Sequence, residues 1–369
     1  MALLASAPLW ARLAWALGLA AAMTSASAQI LVGQTAGFSG PVAAGVRETT
    51  DGALLWIDQV NARGGVHGQK IELISLDDKF EPPLAAANAK KLIVERGVVA
   101  MFLTRGTPHT EAIRPLLEEY KVPLVGPSTG AMSLHQPVHP YIFNVRSTYQ
   151  REAERMVQHL ATIGITRIAL LHVDDSFGGD AAAGAAKGFA AAKLEPAVLG
   201  KFDRSKPELA PLVDQVVKAD AQAVLFFGSG QVVIDGIKAL RAKGSKAQVL
   251  TLSNNASSGF VKQLGDNAHG TVISQIFPSE RAVQLAFVKE GLDLARAKGL
   301  PGLTPAMMEG MAAARVLVEA LQRAGPRPTR EGVTAALNGM SSLDIGGLKV
   351  SFSPTDHRSE EHTSELQSH

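Results

Sequence analysis

The chain of 369 residues contains no cysteine, and that absence alone removes disulfides, zinc–thiolate centres and thiol catalysis. Aromatic residues are few, with three Trp, three Tyr and 13 Phe. No basic cluster is interleaved with them, so the stacking and phosphate contacts of a nucleic-acid binder are missing. Neither sign of charge prevails, since 36 Lys and Arg against 34 Asp and Glu leave a formal +2. The apolar run at residues 13–23 is short for the span of about twenty residues that crosses a bilayer. What is present is a 46% hydrophobic composition with modest charge, a globular chain too long for one ordinary core and suited to two domains. Without disulfides, stability has to come from core burial, which two lobes of this size supply.

The two ends read differently from the middle. Residues 1–28 have the pattern of a secretory signal: Arg12 near the start, an apolar core at 13–23, then Ala26, Ser27 and Ala28 as a small-x-small cleavage site before Gln29. No cysteine follows that core, so lipid attachment there is excluded, and loss of Arg12 brings the mature chain nearer neutrality. At the other end, residues 358–368 resemble the conceptual translation of a common DNA-sequencing adapter. Residues 358–369 are therefore expected to be an artificial tail, the natural sequence diverging after His357.

Residues 30–78 organise the rest. Residues 30–34 form an apolar run that ends in small and turn-forming residues up to Pro41, as a buried parallel strand feeding a loop does. Val46, Thr49, Thr50, Ala53, Leu54, Ile57 and Val60 then recur at three- and four-residue steps, one face of a helix packed on a sheet. Gly64 and Gly65 end that helix in the left-handed conformation of a C-terminal cap. Residues 71–76 return as a second strand, completing a right-handed βαβ unit.

This opening, with Asn61, Gly64, Gly65, Gly68 and Ile71 in an NxxGGxxGxxI turn, resembles the type I periplasmic ligand-binding proteins, the leucine/isoleucine/valine-binding family that feeds ABC importers. The resemblance runs from Gln29 to about His357. It implies two doubly wound, Rossmann-like α/β lobes joined by a multi-strand hinge, periplasmic localisation, capture of a small amino acid or organic acid between the lobes, and delivery to an inner-membrane ABC permease. It also implies a monomer that performs no chemistry and carries no cofactor.

The remaining pattern agrees with that architecture. Helices at 82–96 and 108–120 alternate with strands at 98–103 and 122–125, as in a parallel sheet covered on both faces. Residues 126–140 break the rhythm, and the chain is expected to cross there to a second lobe. Helices at 148–163, 178–192, 207–218 and 232–242 then alternate with strands at 167–173, 197–202, 221–227, 248–252 and 272–277. Helices at 281–297, 304–324 and 329–337 return to cover the first lobe. The expected lobes are residues 29–146 with 279–341, and residues 147–278 with 342–357. Hinges are expected near 144–147, 277–280 and 341–343.

Ligands of wound sheets sit beyond the carboxyl ends of the strands, where loops and helix N-termini offer free N–H donors. The loop Thr104, Arg105, Gly106, Thr107 precedes a helix, so its N–H groups and the Thr107 hydroxyl can receive a carboxylate, although Thr107 equally suits a plain N-cap. In the family this loop and the next hold the ligand's carboxylate, and Thr107, Ser128 and Thr129 match by position. Arg105 departs from the uncharged residue of many relatives; it either pairs with an acidic ligand group or points to solvent. Phe38, Phe80, Tyr149 and Phe177 lie in loops at the cleft edge and suit walls for an apolar group, or loop packing.

Family members that bind amino acids place an acidic residue on the second lobe to meet the ammonium, because a buried cation needs a counter-charge. Here that loop reads Ser253, Asn254, Asn255. Asp174 and Asp175 are possible substitutes, though paired Asp at a strand end more often turn or cap the chain. Gln275, on the strand at 272–277, completes the candidate ligand contacts.

Enzyme patterns are weaker. Residues 126–130 satisfy G-x-S-x-G, which makes a secreted serine hydrolase using Ser128 the alternative, but Pro137 and Pro140 leave little room for the helix that a nucleophile elbow requires. His135 and His139 have metal-pair spacing, yet Pro137 lies between them and no Glu accompanies them. Gly228 and Gly230 start a dinucleotide fingerprint that Val233 does not finish. An exported ligand sensor is the remaining alternative to an importer component.

Overall fold

The computed structural model describes residues 29–357 and the backbone of 365–368. The expected leader, residues 1–28, and residues 358–364 and 369 of the expected tail lie outside the described residues. The first sheet holds β1 (Ile30–Ala36), β2 (Ile71–Asp77), β3 (Ala100–Phe102), β4 (Leu124–Val125) and β5 (Ile142–Phe143), all parallel, in the order β2-β1-β3-β4-β5. The second holds β6 (Ile168–Val173), β7 (Val198–Phe202), β8 (Ala223–Phe227), β9 (Gln248–Thr251) and β10 (Thr271–Gln275), parallel in the order β7-β6-β8-β9-β10. Each sheet therefore starts in its interior, winds one way, then reverses. The reversal falls between β1 and β3 and between β6 and β8, where the loops leaving the strands part and leave a crevice.

Local chemistry accounts for the opening βαβ unit. The helix Ala43–Ala62 buries Val46, Thr49, Thr50, Gly52, Ala53, Leu55 and Ile57, so Leu55 takes the core position expected for Leu54. The Asn61 amide bonds both backbone groups of Ile71, donating to its carbonyl at 2.9 Å and accepting from its N–H at 2.8 Å. Asn61 thus holds the start of β2 against the helix end while the intervening glycines turn the chain.

The expected helix at 82–96 is α-helical over Pro82–Lys90 and continues as a π-helical turn, Lys91–Glu95. The helix Pro305–Arg323, buried along most of its length, crosses Ala43–Ala62 where glycine meets backbone. A Cβ on Gly52 would lie 1.9 Å from the Met307 carbonyl oxygen, and one on Gly310 would lie 1.8 Å from that of Thr49. Only glycine admits this approach.

The chain crosses between sheets after β5 and after β10. Residues 342–357, expected on the second lobe, pack on the first. The hairpin of β11 (Leu343–Asp344) and β12 (Lys349–Val350) places Ile345, Leu348, Val350 and Phe352 in one core with Phe143, Phe287 and Met311. His357 stacks on Phe143 and bonds the Ile142 carbonyl and Asn338. The physical reason is the apolar alternation of the hairpin, which finds its partner surface on the helices covering the first sheet. The backbone of β13 (Glu365–Ser368) pairs antiparallel with β10 at the edge of the second sheet.

Candidate functional site

The loops beyond the carboxyl ends of the two sheets touch one another. The Gln231 N–H donates to the Pro41 carbonyl at 3.1 Å. Glu48 accepts from the Ser258 and Gly259 N–H groups and the Ser258 hydroxyl. Ser176 donates to Glu111 at 2.7 Å, and the Arg204 guanidinium lies 4.9 Å from the centre of the Phe80 ring. Between these contacts a narrow gap of about 20 Å³ is lined by Pro41, Ala44, Gly45 and Arg105 from the first lobe and by Gly230, Asn254 and Phe260 from the second.

The two loops expected to meet a carboxylate lie side by side. Arg105 and Ser128 form a parallel bridge, and the Ser128 N–H donates to the Thr104 carbonyl at 2.7 Å. Thr107 and Thr129 share a hydroxyl hydrogen bond of 2.7 Å, and Thr104 shares one of 3.0 Å with Thr110. Thr107 is therefore not the N-cap. Gly106 holds that position with φ +92° and has no side chain to cap with.

Arg105 is 6% exposed and points into the gap rather than to solvent. Nη1 donates to Ser128 Oγ at 3.0 Å and Nη2 to the Asn254 carbonyl across the cleft. Burial lowers its proton affinity, and interactions with Tyr149 and with the Glu309 carboxylate work in the opposite sense.

The aromatic candidates divide. Tyr149 is buried at the start of the helix Tyr149–Thr162, edge-on to Phe177 at 4.9 Å, with the Arg146 guanidinium 4.7 Å from its ring centre. Phe80 stacks on His109 at 4.3 Å. Phe38 packs against the small cluster of Ala36, Val42, Val46 and Phe80. Asp175 caps the helix Ser176–Ala192 by accepting from the Phe177 and Gly178 N–H groups at 3.0 Å, and its other oxygen accepts from Arg204 at 2.6 Å. Both oxygens are thereby engaged, so Asp175 has no free carboxylate to offer an ammonium. Gln275 lines a separate cavity with Lys262, Glu280, Thr304 and Pro305, not the gap at Arg105.

Sequence reading did not anticipate the charged cluster at the back of the cleft. Arg146 donates to Glu152 at 2.9 Å, to Glu309 at 3.2 Å and to Ser253 Oγ at 2.6 Å. Glu152 also accepts from the Ser253 N–H and hydroxyl and from the Ser274 hydroxyl. Burial alone would lower the Arg146 pKa, but interactions with Tyr149 and with the carboxylates of Glu309 and Glu152 outweigh it and raise it. The one sequence signal was Glu152 in the first turn of a helix, an acid where the dipole welcomes one.

The enzyme patterns dissolve in the fold. Ser128 Oγ receives Arg105, and the chain beyond Ser128 makes a three-residue 3₁₀ turn, Met132–Leu134, rather than the helix of a nucleophile elbow. His135 faces the Ala131 carbonyl and His139 faces Glu118, so the two rings serve different partners. Among the described residues no group of three or more His, Cys, Asp or Glu is arranged to hold a metal.

A family model described as periplasmic binding protein matches residues 29–364. The crystal structure of a substrate-binding periplasmic protein from Ralstonia solanacearum superposes with a TM-score of 0.85 at 32% identity, over 92% of this chain and 97% of that one. A possible leucine/isoleucine/valine-binding protein from Rhodopirellula baltica gives 0.84 at 26% identity, over 93% and 94%. The Leu/Ile/Val-binding protein homolog 3 of Brucella melitensis is 25% identical over 90% of this chain and 89% of its own length.

Proposed function

The chain belongs to the periplasmic binding protein family, and we propose that it captures a small amino acid or organic acid in the cleft between its lobes and delivers it to an inner-membrane ABC permease. Relatives named for leucine, isoleucine and valine binding support the transport role. The observation that carries the reading is Arg105. It starts in a carboxyl-end loop of the first sheet, is held by Ser128 of the adjacent loop, and reaches the Asn254 backbone of the second sheet across the gap. A solute lodged there touches both lobes at once. Only the closed arrangement gives it both sets of contacts, so binding favours closure by the difference between the two states.

In this reading residues 29–146 with 279–357 rotate against residues 147–278 about connections near 144–147 and 277–280. Thr104, Gly106, Thr107, Ser128 and Thr129 belong to the two loops that position Arg105, Ser253 adjoins Asn254, and Tyr149 packs edge-on to Phe177. A thermal-shift screen of amino acids, organic acids, sugars and polyamines tests it. A true ligand at one hundred times its Kd adds about 2.7 kcal/mol of stability and should reduce the radius of gyration in small-angle scattering. A broad panel that stabilises nothing would remove the solute-capture reading.

A further inference from the structure

The two arginines of the cleft live in different electrostatic company. Arg146 contacts two carboxylates, Glu152 and Glu309. Arg105 is as deeply buried, yet its two hydrogen-bond partners, Ser128 Oγ and the Asn254 carbonyl, are neutral. Among the described residues no carboxylate is in ion-pair contact with it. A guanidinium withdrawn from water without a contacting anion is costly, and an anionic ligand relieves that cost.

The opposite wall shows what else the ligand carries. Asn255 is fully used: its amide donates to the Gly228 carbonyl and to Thr251, and its carbonyl accepts from the Gly230 N–H. Asn254 donates to the Gly228 carbonyl and Ser229 Oγ, but its side-chain carbonyl oxygen is buried with no partner. That oxygen is an acceptor for one neutral donor. Both nearby carboxylates pair with Arg146: Glu152 receives four donors from Arg146, Ser253 and Ser274, and Glu309 receives Arg146 on one oxygen. Asp175 is bound to its helix N-terminus and Arg204. The site thus offers one cation without a contacting anion and one neutral acceptor, while each acid near it is already paired with Arg146 or Arg204.

Resting on the solute-capture reading above, we propose that the ligand is a small monocarboxylate bearing a hydroxyl and no ammonium, its carboxylate on Arg105 and its hydroxyl donating to the Asn254 side-chain oxygen. Arg105 and Asn254 then determine specificity, Arg105 for the anion and Asn254 for a hydroxyl over an amine. An ammonium set against Asn254 would be desolvated beside an amide dipole alone, with Arg105 repelling it from across the gap. A hydroxyl is satisfied by that amide oxygen without any counter-charge.

Three matched series test this by titration calorimetry on the full chain: propionate, lactate and alanine; 4-methylpentanoate, 2-hydroxy-4-methylpentanoate and leucine; 3-phenylpropionate, 3-phenyllactate and phenylalanine. In the series that fits the gap, the hydroxy acid should bind at least about tenfold more tightly than the amino acid, with the plain acid between them. Arg105→Gln should weaken the hydroxy acid by at least about thirtyfold. Asn254→Asp, which leaves Arg105 in place and reads the same preference should Arg105→Gln fail to fold, should invert the order in favour of the amino acid.

An amino acid that binds most tightly in every series that binds would overturn the proposal while leaving solute capture intact. So would sugar or polyamine binding with no response to any of the nine carboxylates. Silence from all of these compounds would overturn both.

Discussion

Glu48 of the first lobe caps Ser258 of the second, accepting from its N–H at 2.9 Å and its hydroxyl at 2.8 Å. The carboxylate also receives the Gly259 N–H at 2.8 Å, so one side chain closes a cross-lobe contact that an open form cannot make. Such a cap on a partly solvated helix end is worth about 0.5–1 kcal/mol. Glu48→Ala should therefore weaken ligand binding by about two- to fivefold and enlarge the unliganded radius of gyration in scattering. An unchanged radius together with an unchanged affinity would show that the contact does not contribute to closure.

Gly230 reports on closure from the opposite direction. It holds φ +58° and ψ −122°, and a Cβ there would lie 1.9 Å from the Pro41 carbonyl oxygen of the other lobe. Gly230→Ala should leave the second lobe folded with a strain of about 1–3 kcal/mol, but the lobes should no longer meet along this edge. The expected result is a loss of ligand affinity larger than the loss of melting temperature would explain, with scattering locked at the open dimension even at saturating ligand.

Much of this molecule was legible because its information is local. Asn61 and the glycines after it specify a turn within ten residues of Ile71, and strand–loop–helix alternation places Thr104 to Thr107 and Ser128 to Thr129 at one crevice. What escaped is assembled from afar. Arg146, Glu152, Ser253 and Glu309 come from four separate segments, and each alone reads as an ordinary polar residue. The helix Ser258–Leu264 spans two turns, too few for a 3.6-residue period to stand out. The hairpin around Ile345 alternates too briefly to show which lobe buries it. Asp175 accepts from the N–H groups of Phe177 and Gly178 and serves as a cap, the short-range role that Asp at a strand end favours.

Arg146 should prove far more important for stability than Arg105. Its guanidinium is fully enclosed and neutralises two buried acids, Glu152 and Glu309. Arg146→Met retains the apolar stem and removes the charge with its hydrogen bonds to Glu152, Glu309 and Ser253, leaving Glu152 with its serine and N–H donors and Glu309 without its ion-pair contact. Breaking one partner of such a network costs about 3–5 kcal/mol, readable as a lower urea midpoint at unchanged slope. A double substitution, Arg146→Met with Glu309→Gln, should recover part of that loss, since the stranded charge is then gone. Recovery of nothing would mean that the loss comes from packing against Tyr149 rather than from charge.

Two buried groups beside Phe80 should pull stability in opposite directions between pH 4 and 6.5. Burial pushes Asp78 up to about 6, although it accepts from the Phe80 N–H and the Thr35 hydroxyl, and the charge of Asp77 adds to the rise. Burial brings His109 down to about 4, with Arg204 and Arg105 adding to the fall and a hydrogen bond to the Phe80 backbone and the charge of Asp175 opposing it. For Asp78 the folded chain holds its proton to higher pH than the unfolded chain, so stability falls as pH rises from about 4 to about 6. For His109 the unfolded chain takes the proton first, so stability falls as pH drops from about 6.5 to about 4. The two slopes offset each other in the wild type, and single substitutions should separate them. Relative to wild type, Asp78→Asn should gain about 1–3 kcal/mol as pH rises through this window, and His109→Phe should gain a comparable amount as pH falls through it. Urea denaturation at half-unit pH steps provides the measurement. Parallel displacement of both variants with no crossing of their slopes would show that neither group titrates differently in the folded and unfolded chains.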